Sequence, residues 1–285
     1  MIKNAIWMLA AALGQETPKL DVREVEGRVA LHRAGEDRPR VVQNARPDTR
    51  PFLHPIVAPD GRGVLTEESP GHHKHQTGLY VGLLKVNGRD YFHNRGADYY
   101  RRTALEPGKA DANRASWTVG YDWLGPEKAV ILAESQRWTL VDQGTSYVLD
   151  LDWTAQAAVD VTVARHDYGG LFLRMPWRKE GEAVNSEGQK NGAAEGKRAR
   201  WVDVGMPIEG RPDWGHIAIL DHKTNPEHPI PWRVDGQLGV GPARSRVGDW
   251  TIKKGDGVRF RYRFLVYTGA GAPEKVEAEW QSFTK

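Results

Sequence analysis

The sequence predicts an all-β protein, a large antiparallel β-sandwich built by a single domain over residues 15–285. Three observations carry that reading. Apolar and polar residues alternate with period two, most clearly in Ser146-Tyr147-Val148-Leu149-Asp150-Leu151-Asp152-Trp153, where Tyr147, Leu149, Leu151 and Trp153 share one face and both aspartates the other. Turn punctuation by Gly, Pro, Asn-Gly and Asp-Gly recurs at short intervals, with 31 glycines and 17 prolines in 285 residues. Helical periodicity is nearly absent, and no internal repeat suggests a propeller.

The first residues differ from the rest. Lys3 precedes the apolar run Ala5 to Leu13, and Ala12-Leu13-Gly14 offers the small residues a signal peptidase reads, so residues 1–14 are expected to be a signal peptide. The predicted location is periplasmic or secreted. Beyond that run no stretch of 18 apolar residues occurs, which predicts no membrane span. Cysteine is absent, so disulfides, thiolate zinc sites and thiol nucleophiles are excluded. Basic residues are dispersed and the formal charge is only +3, which argues against a nucleic-acid partner.

In chain order, Val22–Leu31 reads as a hairpin, Val41-Val42 and Phe52–Val57 as short strands, and Leu79–Val86 as a strand before an Asn87-Gly88 turn. Ala129–Val141 and Ser146–Trp153 form a predicted hairpin through Asp142–Thr145. Tyr168–Met175 is a strand opened by Gly169-Gly170, which suggests a close backbone approach. Residues 179–197 are polar and lack aromatics, and read as a long mobile loop. Strands resume at Ala199–Val204, His216–Asp221 and Val258–Tyr267.

Chemistry concentrates at Gly71-His72-His73-Lys74-His75-Gln76-Thr77-Gly78, which holds three of the ten histidines. A strand beginning by His73 would set His73 and His75 on one face, enough for an acid/base pair or half of a divalent-metal site. A third partner is sought among His54, His93, His166, His216, Asp221, His222 and His228. Solvated loop decoration is the alternative. Eleven tryptophans exceed what a core of this size requires. Trp138 and Trp153 are expected in the core, and Trp177, Trp214 and Trp232 along a cleft. Arg174 could clamp a carboxylate or form a sheet-face salt bridge. Glu187, Asp203 and Asp221 are the available carboxylates, and no spacing among them marks a glycosidase pair.

Arg50-Pro51-Phe52-Leu53-His54-Pro55, His73 to Leu79, Tyr168-Gly169-Gly170-Leu171, Lys197 to Asp203, and Gly215 to His222 with Asn225-Pro226 together resemble the soluble PmoA-like family, in order from about Phe52 to Tyr267. Thr77 departs from the Arg or Lys of that family's commoner form. The resemblance implies a galactose-mutarotase-like supersandwich, export, and a role in carbohydrate catabolism. It marks His54, His73, His75, Arg174, Asp203, His216, Asp221 and His222 as motif positions.

The resulting expectation is an exported carbohydrate-active enzyme, a lyase, isomerase or hydrolase acting on an oligosaccharide or sugar acid. His73, His75, His54, Asp221 and His222 are its catalytic candidates. Arg174, Asp203, His216, Trp177, Trp214 and Trp232 are its substrate-binding candidates, and a divalent metal on His73 and His75 is the expected cofactor if one is used. Two alternatives stand beside it, a non-catalytic sugar-binding protein and a histidine-ligated metal-binding protein.

Overall fold

The computed structural model describes residues 18–71 and 73–285. The predicted signal peptide and His72 lie outside the described residues. Strands follow one another as β1 (Leu20–Val25), β2 (Arg28–Arg33), β3 (Val41–Asn44), β4 (Phe52–Ile56), β5 (Leu79–Gly82), β6 (Tyr100–Asp111), β7 (Arg114–Leu124), β8 (Val130–Asp142) and β9 (Ser146–Ala157). The second half adds β10 (Val161–Val163), β11 (Gly170–Leu173), β12 (Glu182–Asn185), β13 (Trp201–Pro207), β14 (Trp214–Asp221), β15 (Trp232–Val234), β16 (Val240–Pro242), β17 (Trp250–Ile252), β18 (Gly257–Thr268) and the helix α1 (Pro273–Phe283).

Sheet one has the order β1-β2-β3-β4-β5-β11-β16-β15, and sheet two β12-β13-β14-β18-β9-β8-β7-β6. Both are antiparallel throughout, so the predicted all-β sandwich is the fold. One apolar cluster joins Leu31, Leu53 and Leu171 of sheet one to Trp117, Leu149 and Ile217 of sheet two, which places the core between them. Burying that much apolar area is the main favourable term in folding.

The alternation seen in the sequence sets each strand's facing. Ile217 and Ile219 of β14 point into the core, while Ala218 and Leu220 pack with Val276 and Phe283 of α1 on the outer face of sheet two. Both faces of β14 are covered, hence its continuous apolar run. Its helical cover has no strong periodicity to announce it, but Pro273 and Glu274 are well suited to a helix start. On β9, Asp150 and Asp152 face outward and pair with Arg263 and Arg259 of the neighbouring β18.

Two predicted elements differ. Residues 179–197 are an ordered edge: β12 pairs with β13, Ala183, Asn185 and Ala194 are buried, and the side chains of Asn185 and Asn191 bind the backbone of the turn. Asparagine-backbone bonds supply the order that apolar residues usually would. The segment His73–Gln76 is a turn and not the start of a strand, because Gln76 N donates to His73 O and Ser69 N to Gln76 O. Gly78 then sits at φ +66°, where a Cβ would fall 2.3 Å from Leu53 O, and β5 begins only after it.

Trp138 and Trp153 lie in the core as expected, and Trp117 and Trp123 join them there. Trp123 and Trp153 donate to the buried Glu134 carboxylate at 2.6 and 2.5 Å, Gln136 donates to it at 2.7 Å, and Trp138 donates to Gln136. Trp117 donates to Gln43 across the sandwich. A buried indole N–H needs an acceptor, and these polar side chains supply it inside the core. Burial pushes the Glu134 carboxyl above its usual range.

Candidate functional site

On the outer face of sheet one, Phe52 of β4, Tyr80 of β5 and Phe172 of β11 alternate with core residues and form a second apolar group with Leu84 and Phe92. This aromatic floor underlies an open cleft lined above it by His73, His75, His93, Tyr168, Arg233 and Asp235.

The turn carrying His75 is anchored from below. Arg50, buried, donates to His75 O at 2.5 Å and to Phe92 O at 2.5 Å, and its guanidinium lies 3.6 Å from the centre of the Tyr80 ring. One cation thus ties the histidine turn to the segment carrying His93. The two rings meet with centroids 4.4 Å apart, and His73 stands 5.8 Å from His75.

Burial pushes the His75 imidazole down to about 4, with the neighbouring His93, Arg50 and His73 acting in the same direction. It is therefore neutral at physiological pH. His93 is held differently: Asp90 accepts from its Nδ1 at 2.7 Å, and the Tyr168 hydroxyl lies 3.5 Å from its Nε2. The same Asp90 carboxylate caps the turn by accepting from Phe92 N and His93 N. A carboxylate, an oriented imidazole and a hydroxyl in line at an open cleft can relay a proton.

His73 also borders an adjoining cleft with Glu67, Arg174, Trp177 and Gln237. Arg174 is buried, its Nε donating to Glu67 at 3.3 Å and one terminal nitrogen to Gln237 at 3.0 Å, while the other terminal nitrogen has no hydrogen-bond partner. Trp177 is 38 % exposed, an aromatic face open to a ligand. Among the described residues no group of three or more His, Cys, Asp or Glu side chains is placed to hold a metal ion.

The structure brings His73, His75, Arg174 and Trp177 together and places the other candidates elsewhere. His54 lies on β4 with Nδ1 3.0 Å from the Thr66 hydroxyl. Asp221 and His222 end β14 within a packed network, where Asp221 accepts from His228 and Asn225 and His222 contacts Thr224 and Arg261. Trp232, expected at a cleft, is fully buried and donates to Ala199 O. Asp203, His216 and Trp214 lie on the outer face of sheet two. Asp90, Tyr168, Arg233 and Asp235 were not singled out from the sequence. For Asp90 the signal was its spacing, three residues before His93 on one turn.

Fold and site thus define a two-sheet antiparallel sandwich with a histidine-lined cleft on the outer face of one sheet. The chain belongs to a family of unknown function, DUF6807, whose model matches residues 29–281. That assignment overturns the PmoA-like resemblance read from the motifs. No curated protein matches the sequence. Among solved structures the chain is similar to the GH36 α-galactosidase AgaA of Geobacillus stearothermophilus, with 9 % identity and TM-score 0.40 over 88 % of this chain and 41 % of that one. It is also similar to galactose 1-epimerase from Lactobacillus acidophilus, with 10 % identity and TM-score 0.39 over 89 % of this chain and 100 % of that one. The chain spans about two fifths of the galactosidase, and likenesses of this size decide no activity. No helix among the described residues is long and apolar enough to cross a membrane.

Proposed function

We propose that the protein is a carbohydrate-active enzyme that transfers protons on a sugar or sugar acid in the cleft of sheet one. The observation that carries this is the line Asp90, His93, Tyr168, set beside the neutral ring of His75. With Nδ1–H given to Asp90, the Nε2 of His93 is the base that removes a proton from a sugar carbon or hydroxyl. The Tyr168 hydroxyl is the acid that supplies one to the oxygen where charge develops. Asp90 orients the ring and stabilises the imidazolium that forms.

The surroundings suit a polyhydroxylated ligand. Trp177 and Tyr168 offer aromatic faces, Arg233 and Asp235 a donor and an acceptor, and the buried, unpartnered terminal nitrogen of Arg174 in the cleft wall a partner for a hydroxyl or carboxylate. Proton abstraction and return fits an isomerase or a lyase better than a hydrolase, because the proton-transfer line at this cleft contains an imidazole and a phenol and not two opposed carboxylates. Export, read from residues 1–14, belongs to the same proposal.

Incubation with neutral oligosaccharides and uronic acids in D₂O, followed by proton NMR, tests it. The expected result is a new product or loss of a C–H signal with at least one substrate, abolished in His93→Ala and in His75→Ala. Saturable binding without product or exchange would make the protein a sugar-binding one, and activity retained in both variants would remove the cleft from the chemistry.

A further inference from the structure

A second cleft opens on the outer face of sheet two, on the opposite side of the sandwich from the histidine cleft. It lies between Glu182 of β12, Asp203 of β13, Trp214 and His216 of β14, Asp213, and the Gly269–Gly271 segment before α1. At its base is a compact group. His216 Nδ1 donates to Asp203 Oδ2 at 3.1 Å, the Tyr267 hydroxyl donates to the same oxygen at 2.5 Å, and the His216 and Tyr267 rings stack 4.5 Å apart. All three side chains are more than nine-tenths buried. Yet Asp203 Oδ1 and His216 Nε2 have no hydrogen-bond partner. Two buried polar atoms without a partner are a costly arrangement for a merely structural group.

Local backbone is fitted to this group. Gly205 lies opposite His216 across the β13–β14 ladder, and a Cβ there would fall 2.5 Å from the His216 ring. Only glycine lets the imidazole lie flat at that position. The facing wall, Gly269-Ala270-Gly271, is small enough to yield, and a Cβ at Gly271 would come 3.7 Å from His216 Cε1.

We infer that this cleft is a second ligand site, which takes a neutral sugar residue through hydroxyls bound to Asp203 Oδ1 and His216 Nε2. The charges around it select that class. Asp213 is held by Arg211 and Glu182 by Lys190, and among the described residues no lysine or arginine pairs with Asp203, whose ion-pair contact is the His216 ring itself. An anionic sugar would meet that carboxylate, whereas a hydroxyl donates to Oδ1 and pairs with Nε2 in either of the ring's protonation states. Trp214, half-buried on the same strand two residues from His216, supplies the aromatic wall against which a sugar face packs.

The probe is a set of neutral methyl glycosides, with methyl glucuronoside as the anionic control, read by saturation-transfer NMR and calorimetry on the full chain. Wild type and His93→Ala are expected to bind at least one neutral glycoside equally. Gly205→Ala and His216→Gln are expected to weaken it tenfold or more, and Trp214→Ala, at the rim where folding is least affected, to weaken it three- to tenfold. The glucuronoside is expected not to compete. Binding unchanged in all three cleft variants, binding lost in His93→Ala, or no neutral glycoside bound by any form would each overturn the inference. Because His93→Ala silences only the other cleft, failure of the acid–base reading and failure of this site are distinguishable.

Discussion

Two histidine–aspartate groups, one at the end of β14 and one in the cleft of sheet one, differ in how far they are open to solvent. At the end of β14, Asp221 is fully buried, receives His228 and Asn225, and sits under Trp280 of α1, whose indole donates to Asp221 O. In the cleft of sheet one, His75 and His93 line open space, and Asp90 and His93 are each about one-third exposed. Residue type and proximity are alike in the two places. Exposure to an open cleft separates a site from a support.

The largest effect is expected at the buried group. Asp221→Ala leaves the His228 ring and the Asn225 amide buried without their acceptor, and stability should fall by about 3 kcal/mol or more. Urea denaturation followed by tryptophan fluorescence reads this directly. A loss below about 1 kcal/mol would mean that the network is not a support.

Next comes the tie between floor and cleft. Arg50→Met removes the donors to His75 O and Phe92 O, and is expected to cost about 2 kcal/mol and to loosen the histidine turn. Hydrogen exchange at residues 73–78 should accelerate more than exchange in β9. Equal changes in both places would show a global loss and no specific tie.

A smaller effect concerns acid. His75 and His222 are both pushed down to about 4, in each case chiefly by burial, from an ordinary value of 6.5. The unfolded chain takes up protons on both as pH falls through about 6.5, and the folded chain only near 4. Stability present above pH 6.5 is therefore lost between about 6.5 and 4. His222→Ala and His75→Ala should each flatten that slope, seen in melting temperatures at pH 7, 5.5 and 4.5. A slope unchanged in both variants would contradict the burial argument.

Much of the fold was legible because period-two alternation reports facing directly, and β9 and β18 were read residue by residue in that way. What failed was read from composition. Residues 179–197 lack aromatics, but asparagine-backbone bonds order them. The surplus of tryptophan implied a cleft lined by Trp177, Trp214 and Trp232, but Trp232 is fully buried, and Gln43 and Glu134 let Trp117 and Trp123 join the expected Trp138 and Trp153 in the core. The cleft was half legible. His73 and His75 are adjacent in sequence, whereas His93, Tyr168 and Arg233 reach it only through the order β5-β11-β16-β15, which no local pattern contains. The sequence put Asp221 among the catalytic candidates and Asp203 among the substrate-binding ones, each an aspartate on a strand near a histidine, and nothing in it shows whether their oxygens are filled. Only the orphaned oxygen of one and the filled oxygens of the other separate them.

The most direct test of the account measures turnover per folded molecule in His93→Ala and Asp221→Ala, on whichever sugar substrate the screen yields. The account predicts a fall of about 10²–10⁴ in His93→Ala with stability within ~0.5 kcal/mol of wild type, and in Asp221→Ala a lower stability with turnover kept. Turnover kept in His93→Ala and lost in folded Asp221→Ala would move the active site to the end of β14 and contradict it.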